Sequence, residues 1–187
     1  MASQLAGHEL TGQRRRLPGS LINLWLKATS AIVKYGFIIE YRDLEAPRTG
    51  IFDGLTISID PDVDFEMQCF ILLHLFGHSV QWTAPSLVGR LASLQDTTDK
   101  AVFMRALHDY EYEAARFAMQ LLREIGVNDL DQWFSDFVAA DWRYVERFYD
   151  SGTIPPWDEC FAFNEKIVEP LCIPSIEHKR VEVRYAF

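Results

Sequence analysis

His74 and His78 stand four residues apart in the stretch "ILLHLFGHSVQW", residues 71–82. On a helix that spacing sets both imidazoles on one face, a turn apart, which is how zinc sites draw two nitrogen ligands from a single helix. A catalytic zinc takes three protein ligands and a water, so a third ligand must come from elsewhere in the chain. The long helical pattern after residue 97 offers Asp109, Glu111 and Glu113. Phe103, Leu107, Tyr110, Ala114, Phe117 and Leu121 mark its core-facing stripe by their alternating spacings of four and three. Asp109 and Glu113 fall on the solvated side, with Arg105 and Arg116 at helical pairing distance. Glu111 lies instead at the margin of the apolar stripe, in a row with Met104, Leu107, Ala115, Ala118 and Leu122, and has no Lys or Arg at those offsets. A carboxylate so placed needs a proton, a hydrogen-bond partner or a cation. From the residues alone two arrangements stay open: a divalent metal held by His74, His78 and Glu111, or a metal-free buried polar cluster of the same three.

Other residues near these have weaker claims. Gln81 follows His78 by three on the same face, where it caps a buried surface or orients a ligand. His108 precedes Glu111 by three and is read as a surface or supporting residue. Tyr110 and Tyr112 are read as aromatic packing. Gly77, with Ala114 and Ala115, would let the two helices approach closely.

These side chains must be positioned by the elements around them. "PGSLINLWLKATSAIVKYG" reads as a helix capped by Ser20 and ended by Gly36, with Leu21, Leu24, Leu26, Ala28, Ile32 and Val33 as its apolar face. "FIIEY" (37–41) and "LTISID" (55–60) have strand character, and the turn residues Pro47, Gly50 and Gly54 between them predict a small antiparallel sheet. "PDVDFEMQCFILLHLFGHSVQW" starts a helix at Asp62 or Asp64 and is apolar nearly all round, so it is a central, buried one. A loop with Pro85 and Gly89 leads to the Glu111 helix, which Gly126 ends, and a further helix runs to Ser151 and Gly152. Its Trp133, Trp142, Tyr144, Phe148 and Tyr149 are read as core or interface. Residues 1–17 are expected to form a flexible arm and 18–187 a single domain, with 153–187 an extended C-terminal wrap that ends in a possible strand, "RVEVRYAF".

The strand "LTISIDP", the helix "HLFGHSVQ" and the later helix "EYEAARFAMQLL" together resemble the zincin metallopeptidases, in particular the ImmA/IrrE-like family. The resemblance covers about residues 20–125. It implies an α+β fold, mainly helical, with a zincin-like core of helices packed on a small antiparallel sheet. It also implies zinc as the cofactor and His74, His78 and Glu111 as its ligands, the same three that the helical rows favour. Two positions depart from the family pattern. Ala115 stands where Asn or Asp is usual, and Leu75 stands where the catalytic Glu of HExxH belongs. Loss of a positioned general base costs roughly 10²–10⁴-fold in rate. The resemblance with this departure implies a degenerate site, without catalytic residues of its own, that binds a peptide or protein partner. The alternatives are an active metal-dependent hydrolase using another acid, with Asp109 and Glu66 the nearest in sequence, and a metal-free structural or interaction protein.

Composition narrows the class further. The 187 residues are 49% hydrophobic and 24% charged, with 13 Phe and 5 Trp, the make-up of a packed globular protein. A net charge of -9 argues against a nucleic-acid partner, and Arg14, Arg15 and Arg16, the one basic run, sit in the N-terminal arm. The three cysteines, Cys69, Cys160 and Cys172, match neither a disulfide framework nor a zinc ribbon. No apolar run has the length of a signal peptide core or a membrane span, so the expected location is the cytoplasm.

Overall fold

A computed structural model of the protein describes residues 18–85, 99–178 and 185–186. The expectations for the N-terminal arm and for Gly89 lie outside these residues. The architecture is α+β and mainly helical: α1 (Pro18–Lys34), β1 (Ile38–Tyr41), β2 (Gly50–Phe52), β3 (Thr56–Ile59), α2 (Phe65–Thr83), α3 (Lys100–Glu124), α4 (Asp131–Ser151), a 3₁₀ turn (Trp157–Cys160) and β4 (Tyr185–Ala186).

Helix α1 opens on Pro18, whose missing N–H costs nothing in the first turn. Ser20 therefore lies inside the helix rather than capping it, and its hydroxyl donates to Asp129 Oδ2. The buried stripe is Leu21, Leu24, Ala28 and Ile32, while Leu26 and Val33 turn outward. Gly36, at φ +91°, ends the helix in a conformation that side chains rarely adopt.

The sheet has the order β1-β3-β2-β4 and is mixed, not purely antiparallel. β1 runs parallel to β3, with Ile38 opposite Thr56 and Tyr41 opposite Ile59. β2 and β3 form an antiparallel hairpin, with Gly50 opposite Ile59. The hairpin turn is held by Asp53, whose Oδ1 accepts from the backbone of Leu55 and Thr56, and by Gly54 at φ +90°. The connection after β1 is long enough to carry the chain past the place that β3 takes, so β3 inserts between its two predecessors and meets β1 in parallel. β4 adds antiparallel to the outer edge of β2, pairing Ala186 with Ile51.

Helix α2 lies between this sheet and the other helices. Asp64 caps it, accepting from Met67 N at 2.9 Å, an interaction of about 1 kcal/mol. Every residue from Gln68 to Gln81 is buried, as expected of a helix apolar nearly all round. Helix α3 crosses α2, and a Cβ at Gly77 would fall on the Ala114 carbonyl and 2.9 Å from the Ala114 Cα. Only glycine allows that approach. Helix α4 is fastened to the end of α3 by a bidentate Arg123–Asp131 pair, both bonds 2.6 Å. Among the described residues after Gly152 there is little regular structure, and their backbone bonds to the body at Arg116, Thr83 and the Ser135 hydroxyl.

Candidate metal centre

The α2–α3 crossing brings His74, His78 and Glu111 together. His78 Nε2 lies 3.0 Å from both His74 Nε2 and Glu111 Oε2, and His74 Nε2 lies 3.3 Å from the same oxygen. Four ligands placed tetrahedrally at zinc's usual bond lengths of about 2.0–2.1 Å stand about 3.3 Å apart. The three atoms thus approximate one face of such a tetrahedron. Donor type fits as well, since two imidazoles and one carboxylate form a catalytic-type zinc set.

The tautomer of His78 follows from its neighbours. Gln81 Nε2 donates to the Tyr110 carbonyl at 2.8 Å and to Glu113 Oε2 at 3.1 Å, which leaves Gln81 Oε1 to face His78 Nδ1 at 2.9 Å. Nδ1 then carries a proton, and Nε2 is the nitrogen that faces His74 and Glu111. Outer partners of this kind fix the orientation of ligating histidines in metal sites. Tyr110 stacks on the His78 ring at 5.0 Å, and its hydroxyl accepts from Trp82 Nε1. Glu113 is therefore part of the support of the site, half-buried, and not on a solvated face.

Charges at the crossing are strongly coupled. Burial pushes the Glu111 carboxyl up, but His78 and His74 outweigh it and hold the group well below the usual carboxylate range. Burial opposes a charge on His74, while Asp141 and then Glu111 favour it, and the balance is upward. Two ring nitrogens and a carboxylate oxygen that converge within 3.0–3.3 Å need a positive centre among them, which a shared proton or, with more charge, a divalent cation would supply.

Asp141, on α4, is the residue that the sequence reading passes over. Its Oδ2 lies 3.7 Å from His74 Nε2, beside the set of His74, His78 and Glu111 whose ligand atoms all fall within 4.8 Å of one another. Burial pushes its carboxyl up to about 6, with His74 pulling down and Glu111 pushing up. The signal that finds Glu111 is present here too: Phe137, Val138, Tyr144 and Val145, at three and four positions, provide no basic partner.

Leu75 points the other way. It is fully buried, and its Cδ1 would meet a Cβ on Gly50 of β2 at 2.9 Å, with Ile71 beside it. The acids nearest in sequence do not take its place. Glu66 accepts a hydrogen bond from Trp133 Nε1, and the Asp109 side chain is 76% exposed, next to His108. His108 itself stacks on Tyr112 and meets Trp142 edge-on.

A cleft of about 430 Å³ opens onto the site. His74, Glu111 and Asp141 line it together with Tyr112, His108 and Trp142, and Arg143, Glu165 and Lys166 are its other charged residues. Arg143 is paired with Glu165 and bonds the Cys160 carbonyl, which ties the chain after α4 to the cleft.

No family model matches the chain, and no curated protein or solved structure matches it either. The fold and site define an α+β domain with a buried His-His-Glu group that could hold a metal ion. Among the described residues no helix is long and apolar enough to cross a membrane.

Proposed function

We propose that the protein binds one divalent metal, with zinc the best match, through His74, His78 and Glu111. In this reading it is a degenerate zincin-like domain of the ImmA/IrrE-like kind. The observation that carries the metal is the 3.0, 3.0 and 3.3 Å triangle of ligand atoms, with the His78 tautomer set by Gln81. Bound zinc would supply Lewis acidity. The chain's own residues supply no acid at position 75 to use it for peptide hydrolysis. Leu75 packs on the sheet, out of the cleft, so its role is structural.

The cleft then serves for binding. Its aromatic residues Tyr112, His108 and Trp142 suit a short peptide segment bearing an apolar side chain, and in this reading the partner is a peptide or protein that acts through that contact. Elemental analysis of untagged protein tests the metal. About one zinc per chain is expected in the wild type, and none in His78→Ala. A wild type that takes up no divalent metal after reconstitution would leave the three residues as a protonated polar cluster and overturn the reading.

A further inference from the structure

Asp141 reaches the crossing beside His74, outside the three-residue group. We propose that Asp141 is the second anionic group of the metal centre, stabilising the bound cation by its charge from beside His74. The inference rests on the metal reading above and extends it to a fourth residue from a third helix.

Three observations carry it. Asp141 Oδ2 is 3.7 Å from His74 Nε2, and the side chains of Asp141 and Glu111 are only 13% and 14% exposed. Two carboxylates therefore enter the same poorly solvated site, where uncompensated charge is costly. Two neutral imidazoles and two carboxylates carry a charge of about −2, which a divalent cation cancels and a single proton does not. Finally, Asp141 lines the cleft together with His74 and Glu111. A fourth direct ligand would stand about 3.3 Å from all three donors. Asp141 stands outside their mutual 4.8 Å set, so its contribution is through charge and outer contact, and the three-residue ligand set is unchanged.

The rival explanation is that Asp141 is merely a polar residue that α4 needs for packing. The two differ in sign. If Asp141 serves the metal, replacing it by the isosteric neutral Asn weakens zinc binding while relieving the metal-free protein of a buried charge. If Asp141 is structural, the change lowers stability with and without metal alike.

The experiment uses the full chain, stripped of metal by chelator and titrated with zinc against a chromogenic chelator, for wild type and Asp141→Asn. Thermal midpoints are recorded for both forms. The expected result is a zinc affinity lowered about 10–100-fold, the range for outer-sphere partners. The zinc-induced rise in midpoint should shrink, and the metal-free midpoint should equal or exceed that of the wild type. Equal zinc affinity in the two proteins would overturn the assignment of Asp141 while leaving the His-His-Glu site intact. A wild type that binds no zinc would overturn both. Should Asp141→Asn fail to fold, Asp141→Ser is judged by the same titration, and failure of both to fold while His78→Ala folds would assign Asp141 to structure.

Discussion

His74 and Leu75 are adjacent, both inaccessible, and opposite in surroundings. His74 is 3% exposed and faces Glu111 and Asp141; Leu75 is 0% exposed and faces Ile71 and the backbone of β2 at Gly50. Burial alone does not separate them. The α3–α4 side of α2 holds two imidazoles, an amide and three acids whose hydrogen bonds and charges answer one another. On the sheet side, one residue along, Leu75 and Ile71 press on the backbone of Gly50. A buried polar group is tolerated where its partners converge, and these partners are delivered by three helices, α2, α3 and α4. The comparison shows how a cluster of converging polar side chains and a core contact can occupy neighbouring residues of one helix. The two faces make separate demands, and a substitution on one need not disturb the other.

The sharpest way to break that separation is to remove what both faces depend on, the close crossing of α2 and α3. A methyl group at Gly77 meets the backbone of Ala114, which has no flexible end to give way. Gly77→Ala should lower stability by about 3 kcal/mol, the upper end for overpacking, and abolish zinc binding with it. Urea unfolding and zinc titration read the two effects. A variant of unchanged stability and affinity would mean that the helices are not in fact held at this distance.

A smaller effect, and the more informative one, comes from placing an acid at position 75. In Leu75→Glu the carboxylate starts in a wholly apolar contact with Ile71 and Gly50. The expected cost is about 3 kcal/mol, less whatever the acid recovers by turning toward the metal. Wild-type hydrolysis of a peptide substrate should stay below that of the variant, measured below the variant's lowered unfolding midpoint. Equal rates would show that another acid already does the work and would overturn the proposal of a degenerate site.

How far the site can be read from the sequence depends on which interactions are local. The His74–His78 pair, the buried character of α2 and the standing of Glu111 all follow from helical spacing, because each concerns neighbours on one helix. Asp141 passes the same test as Glu111, yet nothing in its own helix says that α4 packs beside His74; that is a fact of the third dimension. Glu113 reads as solvated by its row with Asp109 and Arg116, and only the amide of Gln81, reaching across from α2, makes it part of the support. The strand β2 is hidden for a different reason. Gly50 and Gly54 read as turn punctuation, but Gly50 is glycine because Ile71 and Leu75 press on it from α2. Parallel pairing of β1 with β3 has no local signature, since it depends on where the connection after Tyr41 carries the chain.

The finest test of the two faces is a matched pair of near-isosteric changes, Leu75→Met and Gln81→Leu. Both positions are buried on α2, and both substitutions keep side-chain volume close to the original. Leu75→Met exchanges one apolar shape for another and should cost less than about 1.5 kcal/mol, with zinc affinity unchanged. Gln81→Leu removes the acceptor of the His78 Nδ1 proton, together with donors to the Tyr110 carbonyl and Glu113. His78 is then free to take the other tautomer and place its proton where the lone pair was needed, so zinc affinity should fall about 10–100-fold. The pair thus predicts opposite patterns at two residues six apart on one helix, a small stability change with no metal effect against a clear metal effect. If Leu75→Met weakened zinc binding as much as Gln81→Leu, the apolar face would be holding the ligands in place, and the two sides of α2 would have to be treated as a single unit.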